Sequence, residues 1–280
     1  MAASVTPGPT VDVESSIGAL LTFVGDLRRV LEAFGPEFAP RSQADSDSRE
    51  LDDSEATHGV LGQAALLYES SSDHAVALTR ILRSPTQGIA PFSLARSAIE
   101  VSSICCWILE PGLAARTRQA RSIAFRRKGV EGQRTLVNEN PTVDDGGVSE
   151  RLSYLKDRQE RFGAERVSVP PATDLVATWF GGRSPYRLLS AVVHGHPWAI
   201  SQVAFARSDL QTPTGMVFLE PTLKPDIVLY LLILTLDALA KPFWLRTLYC
   251  GHERATAVAA LELTYDAMQM GDGRRFWRAG

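Results

Sequence analysis

Apolar side chains recur at intervals of three and four along most of the chain, which is the rhythm of one buried face of an α-helix. The first such segment, "SIGALLTFVGDLRRVLEAFG" at 16–35, closes on Gly35 as an amphipathic helix does. Residues 36–53, "PEFAPRSQADSDSRELDD", are poor in apolar residues and rich in acid, serine and proline, which predicts a mobile acidic loop. From a capping Ser54 to Arg83, with Pro85 just beyond, runs a pattern long enough for a helix of about 45 Å. Helices follow between Pro91 and Pro111, from Gly112 to Pro141, over 144–163 and over 172–180. The next, 185–195, has Pro185 at a favoured first position and is stopped by Gly195 and Pro197. Between Trp198 and Pro221 the rhythm changes, and "AISQVAFA" and "GMVFLEP" around a polar turn predict one small β-hairpin. Helices over 225–249, bent at Pro242, and over 252–270 complete the pattern. The expected class is all-α, an irregular bundle of eight or nine helices. Residues 1–53 read as an N-terminal helix with a disordered start and an acidic loop, and 54–280 as the bundle domain.

Composition narrows the class of function. With 280 residues, 45% of them hydrophobic and 22% charged, the chain can bury a substantial core. A net charge of −3 excludes coating of nucleic acid by bulk charge, so any such contact needs a local patch. Three cysteines, Cys105, Cys106 and Cys250, form neither a disulfide framework nor a metal-binding spacing, and fit a reducing cytoplasm. The N-terminus lacks the pattern of a secretory signal. The most apolar run, "IVLYLLILTL" at 227–236, is cut by Asp237 and Lys241 and reads as a core helix with no membrane role. Walker A, G-x-G-x-x-G and G-x-S-x-G patterns are absent, and His194-x-His196 lacks a neighbouring carboxylate cluster, so no cofactor and no metal are expected.

The segment "YRLLSAVVHG", 186–195, carries the best candidate chemistry. Residues seven apart return to one helical face, so Arg187 and His194 align about 10 Å apart along the axis, with Ser190 between them. His194 falls in the last turn, where unpaired carbonyls favour a positive charge. A histidine can exchange a proton near neutrality and a guanidinium can hold two phosphate oxygens, which together suit metal-free cleavage of a phosphodiester. The plainer reading is equally physical: Arg187 pairs with a carboxylate and His194 ends its helix.

The spacing Arg187-x6-His194 in a late helix of an all-helical protein resembles the R-x(4-6)-H signature of the HEPN superfamily. That resemblance implies a helical, usually homodimeric domain acting as a metal-independent ribonuclease in toxin–antitoxin or antiphage systems, or a catalytically inactive relative. It would assign catalysis to Arg187, His194 and Ser190, RNA as substrate, and an antitoxin as partner. Leu188 stands where ribonuclease members commonly have a polar residue, and the chain is longer than a minimal domain of that kind. The same stretch, with "SLARSAIEVSSICCWILEPGLAARTRQAR", also resembles a group of uncharacterised actinobacterial helical proteins. The alternative function is a non-catalytic ligand-binding or protein-interaction module.

Three further features bear on that choice. His74 sits above Leu78 and Leu82 as a core histidine would, or converges with Glu100 and His194 at the bundle centre. Glu100 follows Arg96 by one turn, which allows an ordinary within-helix ion pair, and otherwise needs Arg116, Arg118 or Arg121 from the next helix. Between Arg116 and Arg134 seven basic residues face one acid, and Arg116, Arg127 and Arg134 fall within about 20° on a helical wheel, a strip suited to RNA backbone or to solvent. Trp179, Phe180, Tyr186 and Trp198 bracket the Arg/His helix and offer either core or dimer contact.

Overall fold

The computed structural model describes residues 12–35, 37–84, 88–140, 142–163, 167–203, 206–211, 217–220, 223–268, 270 and 275–279. Along them run eleven α-helices: α1 (Val13–Phe34), α2 (Gln43–Leu51), α3 (Ser54–Leu82), α4 (Ala90–Ile108), α5 (Ala115–Glu139), α6 (Val148–Phe162), α7 (Ala172–Trp179), α8 (Arg183–Val193), α9 (Pro197–Val203), α10 (Pro225–Cys250) and α11 (Arg254–Ala267). The class is all-α, but the count exceeds the eight or nine expected because two short helices escape the periodicity.

The first of these, α2, occupies the stretch expected to be an acidic loop. The Ser42 hydroxyl accepts from the Asp45 N–H at 3.1 Å, Arg49 pairs with Asp45, and Ala44, Asp47 and Leu51 turn inward. The stretch looks too polar for a packed helix because one of its inward positions is a carboxylate. The second, α9, takes residues expected in the first strand of the hairpin. Seven residues are too few to show a helical period, and Pro197 opens the helix where its missing N–H is harmless. The antiparallel pair β1 (Ala206–Gln211) and β2 (Val217–Glu220) follows, and the turn between them lies outside the described residues, as do the start at 1–11, Pro85 and Pro141.

Two helix starts also shift. Asp53, not Ser54, caps α3 by accepting from the Ala56 N–H at 2.9 Å. Helix α8 begins at Arg183, which leaves Pro185 still inside the first turn, where no intrahelical donor is lost.

Helix α10 is the axis of the bundle. It is long and apolar enough to cross a membrane by length and composition, yet it packs against α4, α1, α3, α2 and α11, and Leu231, Leu232, Leu236, Leu239 and Phe243 are fully buried. Each such leucine contributes roughly 1.5–3 kcal/mol by leaving water. The helix continues through Pro242, whose ring nitrogen cannot donate to the Ala238 carbonyl one turn back. Two of its charges tie it to neighbouring helices: Lys241 donates to the Trp179 carbonyl at the end of α7 and lies 4.9 Å from the Phe180 ring. Asp237 accepts from the Tyr265 hydroxyl at 2.8 Å. Helix α1 joins the same core through Leu20, Phe23 and Leu27.

Helix α4 lies beside α10 and packs also against α3, α7, α8 and α5. Small residues permit its close approach to α3, and the Ser102 hydroxyl donates to Ser71 Oγ at 2.9 Å in that seam. The docking of α8 on α4 positions the candidate site.

Candidate functional site

Leu189 and Val192 anchor α8 in the core, which turns Arg187 and His194 to solvent. The helix ends in a tight backbone turn: His196 N–H reaches the Ala191 carbonyl at 2.9 Å and Gly195 N–H the Val192 carbonyl at 3.1 Å. This Schellman arrangement needs a left-handed residue after the cap, and Gly195 supplies it at φ +75°. His194 is therefore the C-cap residue, fixed in backbone and open at its ring.

The ring meets Arg96 of α4. Nη1 of Arg96 lies 3.2 Å from His194 Nε2, Nη2 donates to the Tyr186 hydroxyl at 3.2 Å, and Nε donates to Glu100 Oε1 at 2.7 Å. Because a guanidinium only donates, Nε2 is the acceptor in this contact and the ring proton sits on Nδ1. Partial burial works against the Arg96 charge, but the hydrogen bonds to Tyr186 and Glu100 and the Glu100 carboxylate outweigh it and push its pKa up. The Arg96 guanidinium also lies 5.3 Å from the Tyr186 ring centroid. Residues 98 positions apart thus form one Glu–Arg–His/Tyr cluster.

Sequence reasoning found the histidine and assigned it a different arginine. Arg187 is exposed and makes no hydrogen bond or ion pair among the described residues. Ser190 directs its hydroxyl inward, where it is buried without a hydrogen-bond partner. Glu100 takes the within-helix pair with Arg96 and reaches His194 only through it, at a half-buried position and not at the bundle centre. His74 is half-buried on α3 and hydrogen-bonds to neither. The role of Arg96 had one visible sign, its spacing of four from Glu100; nothing local announced the contact with α8.

Two residues of the basic strip reach α6. Arg116 Nη1 donates to the Arg161 carbonyl at 3.4 Å, and Arg127 donates to Glu131 at 2.8 Å and to Gln159 Oε1 at 2.5 Å. Arg134 is exposed beside Arg127, Glu131, Lys156 and Glu160 along a cavity of about 560 Å³ between α5 and α6, so the face carries both signs of charge. Of the four aromatics around α8, Phe180 is buried and Trp179 and Tyr186 pack on the core, while Trp198 is 53% exposed.

The strongest polar constellation is one the sequence hid. Arg118 and Asp47, 1% and 2% exposed, pair at 2.9 Å. Arg118 also donates to the carbonyls of Ile108, Glu110 and Leu113, the orphan acceptors at and beyond the end of α4. Asp47 accepts further from the Tyr249 hydroxyl at 3.1 Å and from Gln43 at 2.6 Å. Every strong donor and acceptor in it is matched, which is the mark of a structural joint. Among the described residues no three His, Cys, Asp or Glu side chains gather to hold a metal ion. No family model matches the chain, and neither a curated protein nor a solved structure matches it.

Proposed function

We propose that the protein cleaves or binds RNA without a metal at the surface formed by α4 and α8, in the manner the HEPN resemblance implies, with His194 as the proton-transfer group. The observation that carries this reading is the contact of Arg96 with an exposed His194 Nε2 at 3.2 Å, with a second arginine, Arg187, unpaired on the same helix as the histidine. A phosphodiester offers both guanidinium groups oxygen acceptors. Arg96 then releases Nε2, which takes the 2′-hydroxyl proton as the 2′-oxygen attacks phosphorus. The protonated ring returns that proton to the departing 5′-oxygen, leaving a 2′,3′-cyclic phosphate. Tyr186 and Glu100 act as positioning residues for Arg96. A symmetric homodimer through α8 and the exposed Trp198 would give such a cleft a second wall, and an antitoxin-type partner would cover it.

Incubation of the purified protein with single-stranded RNA in EDTA tests the proposal, with products analysed for cyclic phosphate ends. Cleavage that falls by about a hundredfold in His194→Ala and Arg96→Met supports it; unchanged products in both variants overturn it. One observation favours a second reading, a non-catalytic module: Arg96 already spends each of its nitrogens on Glu100, His194 and Tyr186, as a clamp between α4 and α8 does. In that case Arg96→Met lowers stability by about 1–3 kcal/mol while RNA remains intact with wild-type protein.

A further inference from the structure

A second arginine site lies on the other side of the molecule's logic, in a cavity of about 620 Å³ between α1, α3 and α10. Arg28, Glu32, Tyr68, Glu69 and Arg246 give it its polar lining. Arg28 is neutralised there, pairing with Glu69 at 3.1 Å and Asp73 at 3.3 Å. Arg246 is not: it is half-buried, makes no ion pair among the described residues, and its Nε is buried without a hydrogen-bond partner. Its charge reaches Tyr68, Cys105, Cys250 and His252, and its side chain also donates to the Cys250 sulfur. Burial pushes the Cys105 thiol up to about 12 and the Cys250 thiol up to about 11, so neither supplies a negative charge at neutral pH. A half-buried guanidinium held by no ion pair keeps its donors open to an anion that arrives from outside.

The second observation is independent of that charge. Tyr68 is 3% exposed and lines the cavity, yet its hydroxyl is buried with no hydrogen-bond partner. Its polar neighbour is the Ser72 hydroxyl, one turn further along α3, which acts on the phenol oxygen as a donor and leaves the phenol O–H without an acceptor. Burial holds the Tyr68 phenol protonated, which makes it a donor waiting for an acceptor. Buried polar atoms in folded proteins are nearly always matched, so an orphan donor beside an unpaired guanidinium describes the outline of a missing acceptor.

We infer that this cavity binds a small metabolite through an oxyanion, a carboxylate or phosphoryl group, held by Arg246 and the Tyr68 hydroxyl. The lining also carries Glu32 and Glu69, so the remainder of the ligand presents donors, hydroxyl or amino groups, to those carboxylates. A volume of about 620 Å³ leaves room for a molecule of sugar-phosphate or amino-acid size.

The test uses the full chain with inorganic phosphate, acetate and chloride as separate probes, read by titration calorimetry and thermal unfolding. Saturable binding of phosphate or of acetate, with chloride at equal ionic strength silent, is expected, and the stronger of the two names the head group. Arg246→Met and Tyr68→Phe should each weaken that binding by about tenfold or more. Tyr68→Phe should unfold no earlier than wild type without a probe, since it removes a buried O–H that has no acceptor. No saturable binding of either oxyanion, equal binding by the Arg246→Met variant, or a markedly less stable Tyr68→Phe variant each overturns the inference.

Discussion

Arg118 and Arg246 are both withdrawn from solvent, and they could hardly be treated more differently. Arg118 has a carboxylate, three carbonyl acceptors and the Tyr249 ring at 4.5 Å; Arg246 acts on thiols, a phenol and a histidine and makes no ion pair among the described residues. The contrast separates two uses of a buried charge. A charge whose partners all come from the chain fastens elements together, whereas a charge held by no ion pair keeps its donors for other use.

The comparison breaks first at Arg118. Its replacement by methionine strands Asp47 in a dry interior and frees three carbonyls, so Arg118→Met should cost about 3–5 kcal/mol in urea unfolding. A loss under 1 kcal/mol would show that α2 is held by other contacts. Next comes Gly251, at φ +68°, where an added Cβ would stand 2.7 Å from Ser42 Cβ. Gly251→Ala should push α2 off the end of α10 and cost about 1–3 kcal/mol, with amide exchange quickening in α2 before the rest of the bundle.

Around Arg246 the expected effects are smaller and depend on pH. Burial, and then the Arg246 charge, lower the pKa of His252 below its ordinary 6.5, so the folded state holds this ring neutral while the unfolded chain still binds the proton. Stability tied to His252 is therefore complete above the unfolded pKa and is lost as pH falls below it. Unfolding curves taken from about pH 7.5 down to pH 5 should show this slope, and His252→Gln should flatten it. Smallest of all is Arg246→Met without ligand, expected within about 0.5 kcal/mol of wild type or slightly more stable. A large loss there would move Arg246 into the same class as Arg118.

What the sequence disclosed followed from periodicity. The long helices were legible because each repeats an apolar stripe over several turns. Helix α2 was not, since its stripe consists of Ala44, Asp47 and Leu51, and a carboxylate counts as surface until its partner 71 residues away is known. A cue did exist in Ser42 and Asp45, spaced as a capping pair. Helix α9 is too short for any period to register. At the candidate site, His194 stood out as a polar residue ending an apolar helix, but its arginine was chosen from the same helix because local spacing is all a linear pattern offers. Arg96 comes from α4, and only the packing of α8 against α4 makes that choice.

The joint at Asp47 also sets an order of events during synthesis. Its acceptor oxygens serve Arg118, 71 residues later, and Tyr249, 202 residues later. At ribosomal speeds of about 5–20 residues per second, α2 waits roughly 10–40 s after emerging before its last partner is made. Over that interval α2 can already pack on α3 and α5 and pair with Arg118, but the Asp47 joint stays incomplete until α10 is made.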